Sequence, residues 1–425
     1  MTAVRLSVFE LDCTPPVGFP IGLGMGDTAG TVRDPLCLRG TILEEGAERC
    51  VVASLDYCAL MNSAYDELRT ALAEGADTPE DRVVVHCIHQ HDTPLIDFEI
   101  EPYLGVVTFP RAWWRGLTAR ASVAARQGLE RLGSVARVGH AETRLYGYAS
   151  NRRILGPDGK VRGMRYSKCH DEALRGEPVG VIDPMLRTVA FMDAEGVLMA
   201  SWSFYASHPQ VANGRRMYSA DAPGEAVRLV SDRMPSGLHA FFTGAGGNVT
   251  AGKYTSVTDF EENIRVFGGR LAEGMARNLT AMIWVPAAGM ACDTAAFAFP
   301  ARAVDRDALT AGIRDPATPA ETKVVRAAVL SAAEYPRNRN YTLTRLALPG
   351  ARILFVPGEP FVEYQLYVQS LAPDEFVAVA ANCSDNFLYL PMAKHFAEGG
   401  YEPTSFCWCT GEFETAFKQA VRDLL

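Results

Sequence analysis

The segment between residues 49 and 89 constrains the fold most. "RCVVASLDYCAL" reads as a buried strand ending near Asp56, "MNSAYDELRTALAEG" follows with Ala64, Leu68 and Leu72 at helical spacing before a glycine stop, and "RVVVHCIH" is a second apolar strand. A strand-helix-strand unit has to lay its helix across a sheet, so this stretch predicts an α/β protein. Other segments extend the pattern. "MLRTVAFMDAEGVLMASWSFYASHP" reads as a hairpin turning at "DAEG", and "LHAFFTGAGG", "TLTRLALPGARILFVPG" and "EFVAVAANCS" read as strands. "RAWWRGLTARASVAARQGLERL", "FEENIRVFGGRLAEGMARNLTAM" and the tail "GEFETAFKQAVRDLL" read as helices. The expected architecture is a mixed β-sheet core flanked by helices.

With 425 residues and 48% hydrophobic content, the chain can bury a large core. No fixed-period repeat, low-complexity tract or Gly/Ser linker divides it, which predicts one domain over residues 1–425 with a polar helical excursion near 305–340 on its surface. A net charge of -9 without a Lys/Arg cluster argues against nucleic acid as a partner. The first thirty residues contain no continuous apolar stretch typical of a secretion signal, and the apolar runs are too short and too broken to span a bilayer. The expectation is a cytoplasmic protein without a transmembrane segment. Ten cysteines without a CxxC pair fit reduced, mostly buried thiols, and "CWC" at 407–409 reads as a strand with both thiols on one face.

The stretch "VVVHCIHQHDTP" carries three histidines. Side chains alternate along a strand, so His89 and His91 are expected on one face and His86 on the other. An HxH pair at a strand end can give a metal two nitrogen ligands or set a ligand beside an acid/base group; it can also be two hydrogen-bonded strand-end histidines. The spacing leaves both open, although "HQHD" does not fit the HxHxD pattern of the metallo-β-lactamase fold.

The blocks "CIHQHDTP", "YASNRRILGPDG", "GVIDPMLRTVAFMD", "FYASHPQV", "SADAPGEA", "GAGGNVTAGKY", "LFVPGEPFVEYQ" and "NFLYLPMAKHFAEGGYEPT" occur in an order that resembles the catalytic domain of the neutral/alkaline ceramidases. The resemblance runs from near residue 10 almost to the C-terminus and implies one zinc per chain, held by His89, His208, Glu359 and Tyr389. It places His91 and Arg152 beside the scissile amide, with Arg152, zinc and Tyr389 stabilising the oxyanion and His91 moving the proton. Read singly, His208 could cap a strand end, Glu359 could sit at a helix N-terminus, and Tyr389 could be core. His140, His170, His239 and His395 read as structural or surface histidines.

Thr250 stands where the family carries a serine, so a covalent serine route is closed while hydrogen bonding to substrate or to the metal's water stays open. "DTP" after the HxH departs from the family's glycine-rich run. The secretion signal and C-terminal β-sandwich of the family's extracellular members are not seen either, so ceramide is not implied as the substrate. The predicted function is a zinc-dependent amidohydrolase using metal-activated water on a small-molecule or lipid-like amide. The alternatives are a zinc lactone or ester hydrolase and a non-catalytic ligand-binding relative. The apolar loop "DTPLIDFEIEPYLGVVTFP" fits a lid over an apolar ligand and, equally, a homo-oligomer contact.

Overall fold

The computed structural model describes residues 3–22, 27–212 and 214–425. Three larger mixed sheets organise them. The first orders Val83–Cys87, Glu48–Leu55, Cys37–Glu45, Arg5–Asp12 and Gly133–Ser134. The second orders Leu238–Thr243, Leu198–Tyr205, Met185–Met192, Arg137–Arg144 and Ile283–Pro286. The third orders Ala291–Ala298, Asn340–Leu348, Ala351–Phe355 and Phe376–Ala380.

Each sheet is antiparallel except for one parallel pair: Glu48–Leu55 with Val83–Cys87, Leu198–Tyr205 with Leu238–Thr243, and Ala351–Phe355 with Phe376–Ala380. The helices Asn62–Ala76, Asp221–Arg233 and Val362–Ser370 make the three crossovers. Parallel strands covered on both faces need nearly continuous apolar sequence, which "CVVASL", "ASWSFY" and "RILF" provide. Val52 and Val84 from the first sheet, Trp202 and Phe242 from the second, and Leu346 and Phe355 from the third pack into one shared core. The expected hairpin is present as Met185–Met192 against Leu198–Tyr205.

The first crossover helix does not stop at its glycine. It runs through Gly75, where an added Cβ would lie 2.2 Å from the Ser122 carbonyl of the Arg111–Leu129 helix, so glycine permits close helix packing. Asp77, at φ 48°, makes the left-handed turn instead. Cys407 and Cys409 are buried with their sulfurs 3.4 Å apart, both thiols meeting as expected.

His86 joins all three sheets. Its Nδ1 lies 2.6 Å from the Ala381 carbonyl oxygen, just beyond the third sheet's last strand, and its Nε2 accepts from Thr243 N at 3.0 Å, at the end of the second. Around it, Ala381 N donates to Thr243 O, Cys87 N to Asn382 O and Thr243 Oγ1 to Ile88 O. The carboxyl ends of these strands are therefore laced together, which is where open α/β sheets place their ligands.

The 305–340 segment forms the helices Arg306–Arg314 and Ala320–Glu334. The second is more than a surface excursion, because Val324, Val325, Ala327, Ala328 and Leu330 are buried. Ser331 Oγ donates to Asp97 Oδ2 at 2.9 Å, Asn62 Nδ2 to Asp97 Oδ1 at 3.1 Å, and Asn338 Nδ2 to Asn62 Oδ1 at 3.0 Å. This buried network fixes the helix to the loop after His91, and burial pushes the Asp97 carboxyl up to about 7.

Burial holds the His86 ring neutral, with its pKa lowered to about 3. The unfolded chain, titrating near 6.5, takes up the proton first, so this contribution is complete above about pH 6.5 and is lost as the pH falls toward 3. His86→Phe keeps the ring but leaves Thr243 N–H unpartnered and the Ala381 carbonyl with only the weak Cys383 thiol donor at 3.4 Å, an expected loss of about 1–4 kcal/mol. Denaturant unfolding should show that loss at pH 7 and a weaker acid dependence than the native sequence.

Candidate metal centre

The strand that carries the histidine motif ends at Cys87, so His89 and His91 are not strand neighbours as the alternation rule expected. Ile88 N still bonds Leu55 O of the neighbouring strand, but His89 N turns to Tyr57 O beyond that strand's end, and His89 adopts a left-handed φ of 76°. Such a conformation in a non-glycine residue costs about 1–3 kcal/mol and persists only where surrounding contacts enforce it. Here it turns the ring so that Nδ1 lies 2.8 Å from the Cys58 carbonyl oxygen.

His208 follows the second sheet's Leu198–Tyr205 strand. Its backbone N donates to Val249 O, and its Nδ1 lies 2.7 Å from the Gly246 carbonyl oxygen. Glu359 and Tyr389 face each other across a short parallel pairing, Glu359–Pro360 with Tyr389–Leu390. The glycine-rich loop comes close enough for this only without side chains, since a Cβ on Gly247 would lie 2.5 Å from Glu359 O.

These elements bring His89 Nε2 to 3.5 Å and His208 Nε2 to 3.2 Å from Glu359 Oε2, with the Tyr389 hydroxyl 3.3 Å from His208 Nε2. A carbonyl oxygen only accepts, so both Nδ1 atoms carry hydrogen, and in the neutral rings each Nε2 lone pair points at Glu359 Oε2, which has no other hydrogen-bond donor. Burial, then the Arg152 charge, lowers the His208 pKa and keeps it neutral. Acceptors crowded against acceptors repel unless a cation sits among them. A hollow of about 10 Å³ beside them, lined by His89, His208, Glu359 and the glycines Gly244, Gly246 and Gly247, has room for about one water-sized particle. His89, His208 and Glu359 can thus hold a metal ion, and Cys58, His89 and His91 form a second such group that shares His89.

His91 lies beside the cluster, with ring centroids 5.2 Å from His89 and 6.2 Å from His208. Gln210 Nε2 is 3.1 Å from its Nδ1, while its Nε2 is buried and unsatisfied. Burial, then the neighbouring histidines, pushes its pKa well below the usual value. The Arg152 guanidinium packs over the rings of Tyr389 and Tyr401 at 5.0 and 5.1 Å; its Nε bonds Glu402 at 3.0 Å and its Nη2 bonds Gly247 O at 2.6 Å. Burial works against the Arg152 charge, but Tyr389, Tyr401 and Glu402 outweigh it and hold the pKa up.

The structure therefore brings together six of the seven sequence-predicted site residues. Thr250 is separate: it is buried, donates to the Arg165 carbonyl at 2.8 Å, and is not among the described residues lining the cavities at the cluster. Sequence reasoning missed Glu402, Tyr401, Gln210 and Cys58. The first three lie within the blocks "EGGYEPT" and "SHPQ", but only the fold reveals that they hold Arg152, Tyr389 and His91.

Two cavities share His91, Tyr389 and Phe406 as a common wall. One is apolar, about 50 Å³, and reaches the cluster at His89 and Glu359. The other is open, about 810 Å³, and carries Arg152, Gln210, Asp27 and Glu321. Among the described residues, no helix is long and apolar enough to cross a membrane.

No protein-family profile matches the chain, and neither does any curated protein sequence. Among solved structures, it is similar to the neutral ceramidase from Pseudomonas aeruginosa, with a TM-score of 0.74 at 15% identity over 100% of this chain and 74% of that one. A structure described as a ceramidase complexed with C2 matches with a TM-score of 0.74 at 16% identity, over 100% of this chain and 75% of that one. The identities establish the shared architecture alone: the chain folds as a neutral ceramidase-like domain.

Proposed function

We propose that the protein is a zinc-dependent hydrolase that cleaves the N-acyl bond of a small-molecule or lipid-like amide in the cytoplasm, with His89, His208, Glu359 and Tyr389 as the metal ligands. The observation that carries this reading is the meeting of two Nε2 lone pairs with a donor-free carboxylate oxygen at 3.2 and 3.5 Å, on the wall of two cavities. When bound, zinc supplies Lewis acidity and lowers the pKa of a water to about 7. Similarity in fold to ceramidases supports amide chemistry over other uses of such a site.

The remaining steps belong to the side chains. A carbonyl oxygen beside the cluster meets the Arg152 charge, and also the Tyr389 hydroxyl, which burial keeps protonated by raising its pKa. Glu402 and the Gly247 carbonyl fix the guanidinium, so little reorganisation is needed as charge develops. With Gln210 donating to His91 Nδ1, the hydrogen sits on Nε2, ready to be given to a substrate atom. If the Gln210 amide turns over, its oxygen accepts from Nδ1 and frees Nε2 to take a proton, so one residue serves both directions of transfer. Thr250, already engaged with Arg165, holds the loop.

Elemental analysis of the purified protein should find one zinc per chain, and His208→Ala should lose metal and amide hydrolysis together with an unchanged circular dichroism spectrum. No zinc, two per chain, or a fully loaded variant overturns the ligand set. An amide and ester panel identifies the bond.

Ligand and proton-transfer roles separate by mutation. His89→Ala should lose the metal, whereas His91→Ala should keep it and lose about a hundredfold or more in turnover. Arg152→Lys should also keep zinc while slowing turnover, because an ammonium cannot replace the guanidinium fork. Thr250→Ala should be mild. A mild His91→Ala together with an inactive Thr250→Ala contradicts these roles.

A further inference from the structure

The two cavities at the cluster are unequal, and the helix Ala320–Glu334 borders both. Its Val324, Val325 and Ala328 face the apolar cavity, together with Met61, Ile100 and Leu388, while Glu321 and Thr322 face the open polar one. At about 50 Å³, about a third of the volume of a cavity that takes one benzene ring, the apolar cavity accepts only a few heavy atoms. Its wall is built in. Val324, Ala327, Ala328 and Leu330 pack with Ala59, Met61 and Ile100 in one apolar cluster, and Ser331 is tied to Asp97 at 2.9 Å. A long alkyl chain therefore has no room on this side without moving a helix anchored by both packing and buried hydrogen bonds.

We infer that the substrate is asymmetric, with a compact apolar group of a few heavy atoms on one side of its scissile bond and a larger polar group on the other, and that Val324, Val325 and Ala328 set the size limit. The inference rests on the hydrolase reading and names the substrate class that reading leaves open. The open cavity, with Asp27, Gln210, Glu321 and Arg152 along its wall, takes the polar portion. The 320–334 helix is then a gauge that excludes long acyl or alkyl chains.

The test uses straight-chain alkyl hydroxamates of two to twelve carbons as metal-anchored probes of the zinc-loaded protein, with affinity read by calorimetry and no turnover required. Affinity should rise about fourfold per methylene, the value of about 0.8 kcal/mol per buried CH₂, up to four or so carbons and then stop rising or fall. Val324→Ala/Val325→Ala should move the break to longer chains, and Ala328→Leu should move it to shorter ones, both with zinc content unchanged. In parallel, N-acyl amides of one polar amine and N-alkyl amides of one polar acid should show, in at least one series, a kcat/KM optimum at a short chain of a few heavy atoms. Affinity that climbs steadily to twelve carbons, a break that neither variant moves, or no binding at any length overturns the inference. Failure of the hydrolase reading looks different: the protein lacks zinc, or cleaves no amide or ester while still showing the break.

Discussion

The structure depends on one buried imidazole. His86 stands where the first sheet's parallel pair ends and reaches the last residues of the other two sheets, with its Nδ1 at Ala381 O and its Nε2 at Thr243 N. A side chain with one donor and one acceptor fixed at opposite corners of a ring is suited to joining two backbone groups of opposite polarity. Because the ring stays neutral and dry, the joint has no water to compete with it. The segments leaving these strand ends, 88–91, 244–250 and 382–389, are consequently drawn to one point.

The metal centre follows from that convergence. Each histidine gives its Nδ1 hydrogen to a backbone carbonyl, Cys58 for His89 and Gly246 for His208, so the backbone selects which nitrogen is left basic. Glu359 is then offered to both lone pairs, and the strained His89 backbone is part of the cost of this arrangement. Outward from the cluster, Glu402 and Gln210 orient Arg152 and His91. The helix at 320–334 completes the walls on both sides, so a segment whose surroundings read as a surface excursion contributes to the choice of ligand.

Much was legible in the sequence because it is written in local periodicity. Alternation, helical spacing and turn residues gave the first crossover helix, the hairpin and the mixed α/β class, and the ordered blocks led to the ceramidase-like fold and to His89, His208, Glu359 and Tyr389 as neighbours. These are statements about residue type at short range, and such patterns survive any arrangement of the sheets.

What only the tertiary structure decided depends on residues far apart in the chain. Three sheets repeat one plan, antiparallel strands followed by a parallel crossover, although no sequence repeat marks them, because pairing needs apolar faces and no particular residues. His86 read as the outlier of the motif, since its partners lie 157 and 295 residues away. His89 and His91 meet through a left-handed turn that strand alternation cannot foresee. The depth of the apolar cavity, too, was set by a helix more than two hundred residues from the histidines that border it, since packing volume is a property of contacts and the sequence records only composition.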